Sequence, residues 1–151
     1  LVKWLNSYSR FNVAIKIFNM EFTLEKLEVY NIAEKFSDDI WDIVTSWDYF
    51  KKDTMGKQLV RAADSISANI AEGYGRYFYK ESKQFYFYSR GSIQETKSWL
   101  SKCLRRNIIE PVVCSSLIET CKKILIMLNA FIKFVANSQK SKPTGDKSSN
   151  Q

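Results

Sequence analysis

TMGKQLVRAADSISANIAEGYGR, residues 54–76, decides the fold, because it carries three of the chain's five glycines and two distinct faces at helical spacing. Wound as a helix, Leu59, Ala62 or Ala63, Ile66 and Ile70 fall on one side, while Arg61, Ser65, Asn69, Glu72 and Arg76 descend an adjoining one in steps of three and four. The apolar line reads as core. The polar line is unusual, since a merely solvated face is better served by Lys and Glu than by Ser and Asn. Thr54 is the expected N-cap, and Gly73-Tyr74-Gly75 the expected end, glycine accepting the left-handed backbone at little cost.

Outward from this helix the same rhythm recurs. Thr23 stands where it can cap a helix over 24–47, with Leu24, Leu27, Ala33, Phe36, Ile40, Ile43 and Trp47 on its apolar side and a polar loop following at 48–53. A third helix is predicted from Tyr79 or Lys80 to Arg106 or Asn107. Its Gly91 costs up to about 1 kcal/mol relative to alanine, which close approach to the small-residue centre of the second helix would offset. Glu110-Pro111 opens a fourth over 112–137, proline being tolerated in a first turn. Residues 138–151, with no apolar anchor, are expected to be a disordered tail, and residues 1–19 a non-core extension preceding a natural start at Met20, or else an arm that docks on a neighbour. Four long helices with short connections make an all-α, antiparallel up-down-up-down four-helix bundle over 20–137.

Composition narrows the function. With 151 residues the chain can bury one self-sufficient core. It has no histidine, which removes Ser-His-Asp and Cys-His catalysis and most catalytic zinc sites. Cys103, Cys114 and Cys121 match no metal or redox spacing and read as reduced, buried thiols of a cytoplasmic protein. Glu34, Asp38 and Asp42 read as an exposed acidic edge, so no catalytic residue, cofactor or metal is expected, and no membrane span is present in the pattern. The net charge of +7 is unevenly placed: residues 20–50 hold two basic against eight acidic residues, and residues 51–106 hold twelve against five. Such a basic middle fits a phosphate backbone, and the acidic-to-basic split also fits subunit pairing.

The segments MEFTLEKLEVYNIAEKF (20–36), QLVRAADSISANIAEGYGR (58–76), YKESKQFYFYSRGSIQETKSWL (79–100) and LIETCKKILIMLNAFIKF (117–134) resemble the 23S ribosomal RNA intervening-sequence proteins. A related group is the accessory variability determinant of diversity-generating retroelements. The chain departs mildly from the pattern, with Ser67-Ala68 where a proline is frequent and Tyr30 where tryptophan is common. The resemblance implies a four-helix bundle that assembles as a ring-like homopentamer. In the retroelement relatives it implies binding to a reverse transcriptase and a basic surface linked to nucleic acid.

From these readings the leading expectation is a non-enzymatic, oligomeric, nucleic-acid-associated adaptor. The alternative is a scaffold that binds a reverse transcriptase or another protein without touching RNA or DNA. Candidate phosphate contacts are Lys51, Lys52, Lys57, Arg76, Lys80, Lys83, Lys97, Lys102, Arg105 and Arg106, with Tyr74, Tyr77, Phe78, Tyr79, Tyr86 and Phe87 as stacking surfaces. Tyr77, Phe78, Tyr86 and Phe87 are also expected to face outward and drive self-association. Arg61, Asn69, Glu72, Gly73, Arg90, Gly91, Ser92 and Glu95 form a candidate structural or assembly network, with arginine–carboxylate pairs reaching between the second and third helices.

Overall fold

The computed structural model describes residues 23–76 and 79–140. These form four helices and no strand. A single 3-10 turn, Leu24–Lys26, precedes α1, Glu28–Thr45. The second helix, α2, is one continuous rod in three parts: an α-turn Tyr49–Lys51, a π-turn Lys52–Gly56 and an α-helix Lys57–Gly75. Then come α3, Tyr79–Arg105, and α4, Pro111–Lys140. The last helix thus runs three residues into the expected tail; the remainder of that tail, and the 1–19 extension, lie outside the described residues.

Contacts between helices fix the topology. Ser37 meets Asp64 and Val44 faces Gly56, so α1 and α2 run antiparallel. Ser89 bonds to Ile66, Tyr86 lies against Gly73, and Arg106 reaches Met55, so α3 returns along α2. Cys114 bonds to Leu100 and Tyr86 stacks edge-on against Phe131, so α4 reverses again. Contact between α4 and α1 closes the bundle. Phe36, Ile40, Leu59, Ile66, Ile93 and Leu128 sit at its centre, each at most 1% exposed. Burying a side chain of this size stabilises by about 1.5–3 kcal/mol.

The helix ends differ from the sequence expectation, each for a local reason. Thr23 is extended and its side chain caps nothing, because Leu27 breaks the first helix with ψ 104° as it turns into the core. Asn31 then donates from Nδ2 to the Glu25 carbonyl at 2.7 Å, tying the 3-10 turn to α1. The expected loop at 48–53 is helical. Asp48, not Thr54, is the cap: its carboxylate accepts from the Lys51 N–H at 3.0 Å, while the Thr54 hydroxyl donates back to the Phe50 carbonyl. At the far end no described glycine has positive φ, so α2 runs through Gly73 and ends where Arg76 becomes extended. The left-handed residue is Asn107, φ 53°, at the end of α3, with Ile108 N–H bonded to the Cys103 carbonyl and Asn107 N–H to that of Leu104.

Glycine use is likewise redistributed. A Cβ on Gly91 would meet nothing within 4 Å, so this glycine does not mediate the close approach of α2 and α3. Gly73 does: a Cβ there would lie 2.5 Å from the Tyr86 ring and 3.0 Å from the Ser82 carbonyl. The two positions should therefore respond oppositely to the same change. Gly91→Ala should raise unfolding stability by about 0.5–1 kcal/mol. Gly73→Ala should lower it by about 1–3 kcal/mol through overpacking, both read from urea unfolding midpoints.

Candidate nucleic-acid interface

Antiparallel packing divides the ten candidate cations between the two ends of the bundle. The α1–α2 and α3–α4 connections share one pole, fixed by the Val44–Gly56 approach and by Arg106, whose Nη1 lies 2.8 Å from Met55 Sδ. Lys51, Lys52, Lys57, Lys102, Arg105 and Arg106 collect there. Arg76, Lys80 and Lys83 lie at the opposite pole, about 27 Å away along α2 at helical rise, and Lys97 lies between. The first pole, residues 48–57 with 102–110, holds six basic and three acidic residues, net +3.

At this pole the cations are held by light contacts. Lys51 Nζ sits 2.8 Å from Asp48, and Lys57 pairs with Asp53 one helical turn away. Both pairs are solvent-exposed, where such bridges contribute about 0–1 kcal/mol, so phosphate can compete for the ammonium groups. Lys102 lies 3.8 Å from the centroid of the Trp99 ring. Tyr49 and Phe50 project from the first turn of α2, 81% and 74% exposed. Beside them a cleft of about 550 Å³ opens between α1 and α2, lined by Trp41, Tyr49, Lys52, Lys57 and Arg61.

The opposite pole serves phosphate less well. Arg76 is paired with Glu72 and lies 4.7 Å over the Phe85 ring, and Lys83 lies 5.3 Å over Phe87. Tyr86, expected to face outward and stack, is instead core at 2% exposure, because Gly73 leaves room for its ring. Tyr74 and Tyr79 are half-buried, Phe87 is 43% exposed, and Tyr77 and Phe78 lie outside the described residues. Tyr49 and Phe50, which fall in the expected 48–53 loop, stand exposed among the cations, near the Lys102–Trp99 contact.

The expected polar network between α2 and α3 is not formed within the chain. Glu72 pairs along α2 with Arg76, Asn69 donates to the Ser65 carbonyl at 2.7 Å, and Glu95 accepts from Trp99 Nε1 at 3.4 Å. Arg90 lies 5.4 Å over Phe87, and the Ser92 hydroxyl donates to the Tyr88 carbonyl. Arg61, Glu72, Arg90, Gly91 and Glu95 are exposed, so the line they follow points away from the seam. Across the α2–α3 seam the fully buried Ser89 hydroxyl instead donates to the Ile66 carbonyl at 2.8 Å, while Ser37 of α1 donates to Asp64 of α2. Arg90 and Gly91 line a second cleft, about 410 Å³, with Phe87, Gln94 and Leu125 on the α3–α4 side.

Among the described residues the chain is an all-helical, antiparallel bundle of four long helices. The family model for the 23S rRNA-intervening sequence protein matches residues 25–130, and the chain belongs to that family. Among solved structures it is similar to a protein of unknown function from the S23 ribosomal protein family of Bacteroides thetaiotaomicron VPI-5482, whose crystal structure extends to 1.70 Å. That likeness has 23% sequence identity and a TM-score of 0.63, covering 70% of this chain and 98% of the other, and it supports the fold. No curated protein matches the sequence.

The remaining chemistry is buried. Among the described residues no group of three or more His, Cys, Asp or Glu side chains could hold a metal ion, and no helix is long and apolar enough to cross a membrane. All three thiols are buried and unbridged. Burial pushes Cys103 up to about 11 and Cys121 up to about 12, and raises Cys114, so none supplies a thiolate near neutral pH. Burial also pushes Tyr86 up to about 12. Each of these groups holds its proton more tightly folded than unfolded, so their contribution is intact below the ordinary thiol value of 9.0 and is lost as pH rises toward 12. Thermal stability should therefore be flat in this respect from pH 6 to 8 and fall steeply above about pH 9. The thiols should react with Ellman's reagent at pH 8 only after unfolding.

Proposed function

We propose that this chain is a non-enzymatic, self-associating, nucleic-acid-associated adaptor that takes phosphate at the pole shared by the α1–α2 and α3–α4 connections. The observation that carries this reading is the convergence there of six basic side chains from two separate sequence segments, net +3, on a chain whose first helix is acidic. The antiparallel fold brings residues 51–52 and 105–106 to one end, but it does not require all four to be basic. The family name associates these proteins with ribosomal RNA genes and is compatible with a polynucleotide partner.

Self-association is supported by exposed apolar side chains on α3 and α4, where Phe87, Tyr88, Ile126 and Phe134 are 43–70% exposed. Arg90 and Gly91, in the cleft between those helices, fit an assembly role better than an intrachain one. Five subunits in a ring is the assembly that the family resemblance implies. A cytoplasmic site of action suits the three unbridged thiols.

Fluorescence anisotropy with a labelled polynucleotide should show affinity falling with salt. In Lys102→Ala/Arg105→Ala/Arg106→Ala the log–log salt slope should be shallower by about 2–3. Unchanged binding in that triple variant, or capture from lysate of a protein such as a reverse transcriptase that survives nuclease, would favour the scaffold reading. Light scattering should report a particle several times the 17.6 kDa chain mass. Phe87→Ala/Ile126→Ala should reduce it, whereas a monomer at every concentration would remove self-association from the proposal.

A further inference from the structure

Resting on that reading of the pole, we infer that the site selects unpaired polynucleotide over duplex, with Tyr49 and Phe50 as its stacking surfaces. Both rings are exposed beyond anything the core requires, and they belong to no part of the hydrophobic cluster. Their backbone is nonetheless fixed. Asp48 caps the turn through Lys51 N–H, and the Thr54 hydroxyl bonds the Phe50 carbonyl at 2.7 Å. Adjacent residues on a helix diverge by about 100°, so the two rings present separate faces, one for each of two splayed bases.

Charge around the rings complements a strand. Lys51 and Lys52 follow directly in sequence, and Arg105 and Arg106 arrive from the end of α3, Arg106 being anchored on Met55 one turn further along α2. The acids of the pole are Asp48, Asp53 and Glu110, and the first two are engaged by Lys51 and Lys57. An unpaired strand can therefore lay phosphates along the cations and turn base faces onto the rings. A duplex keeps its bases stacked on one another, so it meets the cations but offers the rings nothing.

The test uses the full chain with fluorescent uridine and thymidine 20-mers and a 20-base-pair duplex at one salt concentration. Wild type should bind the single strands at least about ten-fold tighter than the duplex. Tyr49→Ala and Phe50→Ala should each weaken single-strand binding about five-fold or more, leaving duplex binding unchanged, and Tyr49→Trp should restore it. Because both rings are solvent-exposed, the alanine variants should keep the wild-type melting temperature within about 2 °C.

Equal binding of single strand and duplex, with the ring variants silent and the Lys102/Arg105/Arg106 variant impaired, would overturn this inference while leaving the phosphate reading intact. Failure of wild type to bind any of the three ligands would remove both. Ring variants that lower the particle mass in light scattering without changing affinity would assign Tyr49 and Phe50 to assembly, and the inference would fall.

Discussion

The seating of the Tyr86 ring over Gly73 sets the register on which the rest of the bundle depends. At that point α2 presents no side chain, so an aromatic group from α3 can occupy the space and reach across to Phe131 of α4. Seven residues back along α2, the Ser89 hydroxyl donates to the Ile66 carbonyl at full burial, giving the seam a directional contact that a purely apolar surface lacks. From Gly73 back to Met55 is about 27 Å of helix, and from Tyr86 forward to Arg106 about 30 Å. The two arms match within a turn, and Arg106 consequently ends against Met55. A register fixed at one pole thus determines which cations meet at the other.

The π-turn at Lys52–Gly56 belongs to the same geometry. It buries Met55 and Gly56 next to one another, and a Cβ on Gly56 would lie 2.6 Å from Val44 Cγ1. The helix can thereby begin at Asp48, directly after α1, with its first turn standing beyond the core. Tyr49 and Phe50 are exposed because that turn has no α3 or α4 side chain required to cover it. Electrostatics follow from placement as well. The carboxylates of α1 occupy its exposed surface, some neutralised locally as in the Lys35–Asp39 pair, while the cations at 102–106 emerge at the end of α3. The bundle is therefore polarised, with acidic side chains along α1 and basic ones gathered at one pole.

Much of the fold was legible because long amphipathic repeats leave few alternatives. Ile66 and Ile70 are fully buried, on the side their spacing predicts. Helix ends were less legible, since several residues competed for each role. Thr54 and Asp48 are both good caps, and only the tertiary contact of Gly56 with Val44 favours the earlier start. Gly73 and Gly91 are indistinguishable as letters in a helix, yet one adjoins an aromatic ring and the other open space. The polar line from Arg61 to Arg76 adjoins the apolar line in the sequence pattern, but a difference of about 100° is enough to turn Arg61, Glu72 and Arg76 outward. Asp48 as cap was the available signal for the interface: it converts a polar loop into a helix that displays Tyr49 and Phe50.

The position of the basic site also bears on what self-association would accomplish. The cleft beside Phe87, Arg90 and Gly91 lies on the flank of the bundle, whereas the clustered cations and the Tyr49 and Phe50 rings lie at its end. Subunits that met through their flanks about an axis parallel to the helices would leave their poles uncovered and bring several copies of the same net +3 patch onto one face. Each added patch releases further counterions when a strand binds, and linked weak sites gain affinity through effective concentration without a new contact. A single pole with two rings and six cations is a small footprint for a polynucleotide. Repeated around such an assembly, it would offer one strand several such footprints, and the modest charge of one chain would be multiplied.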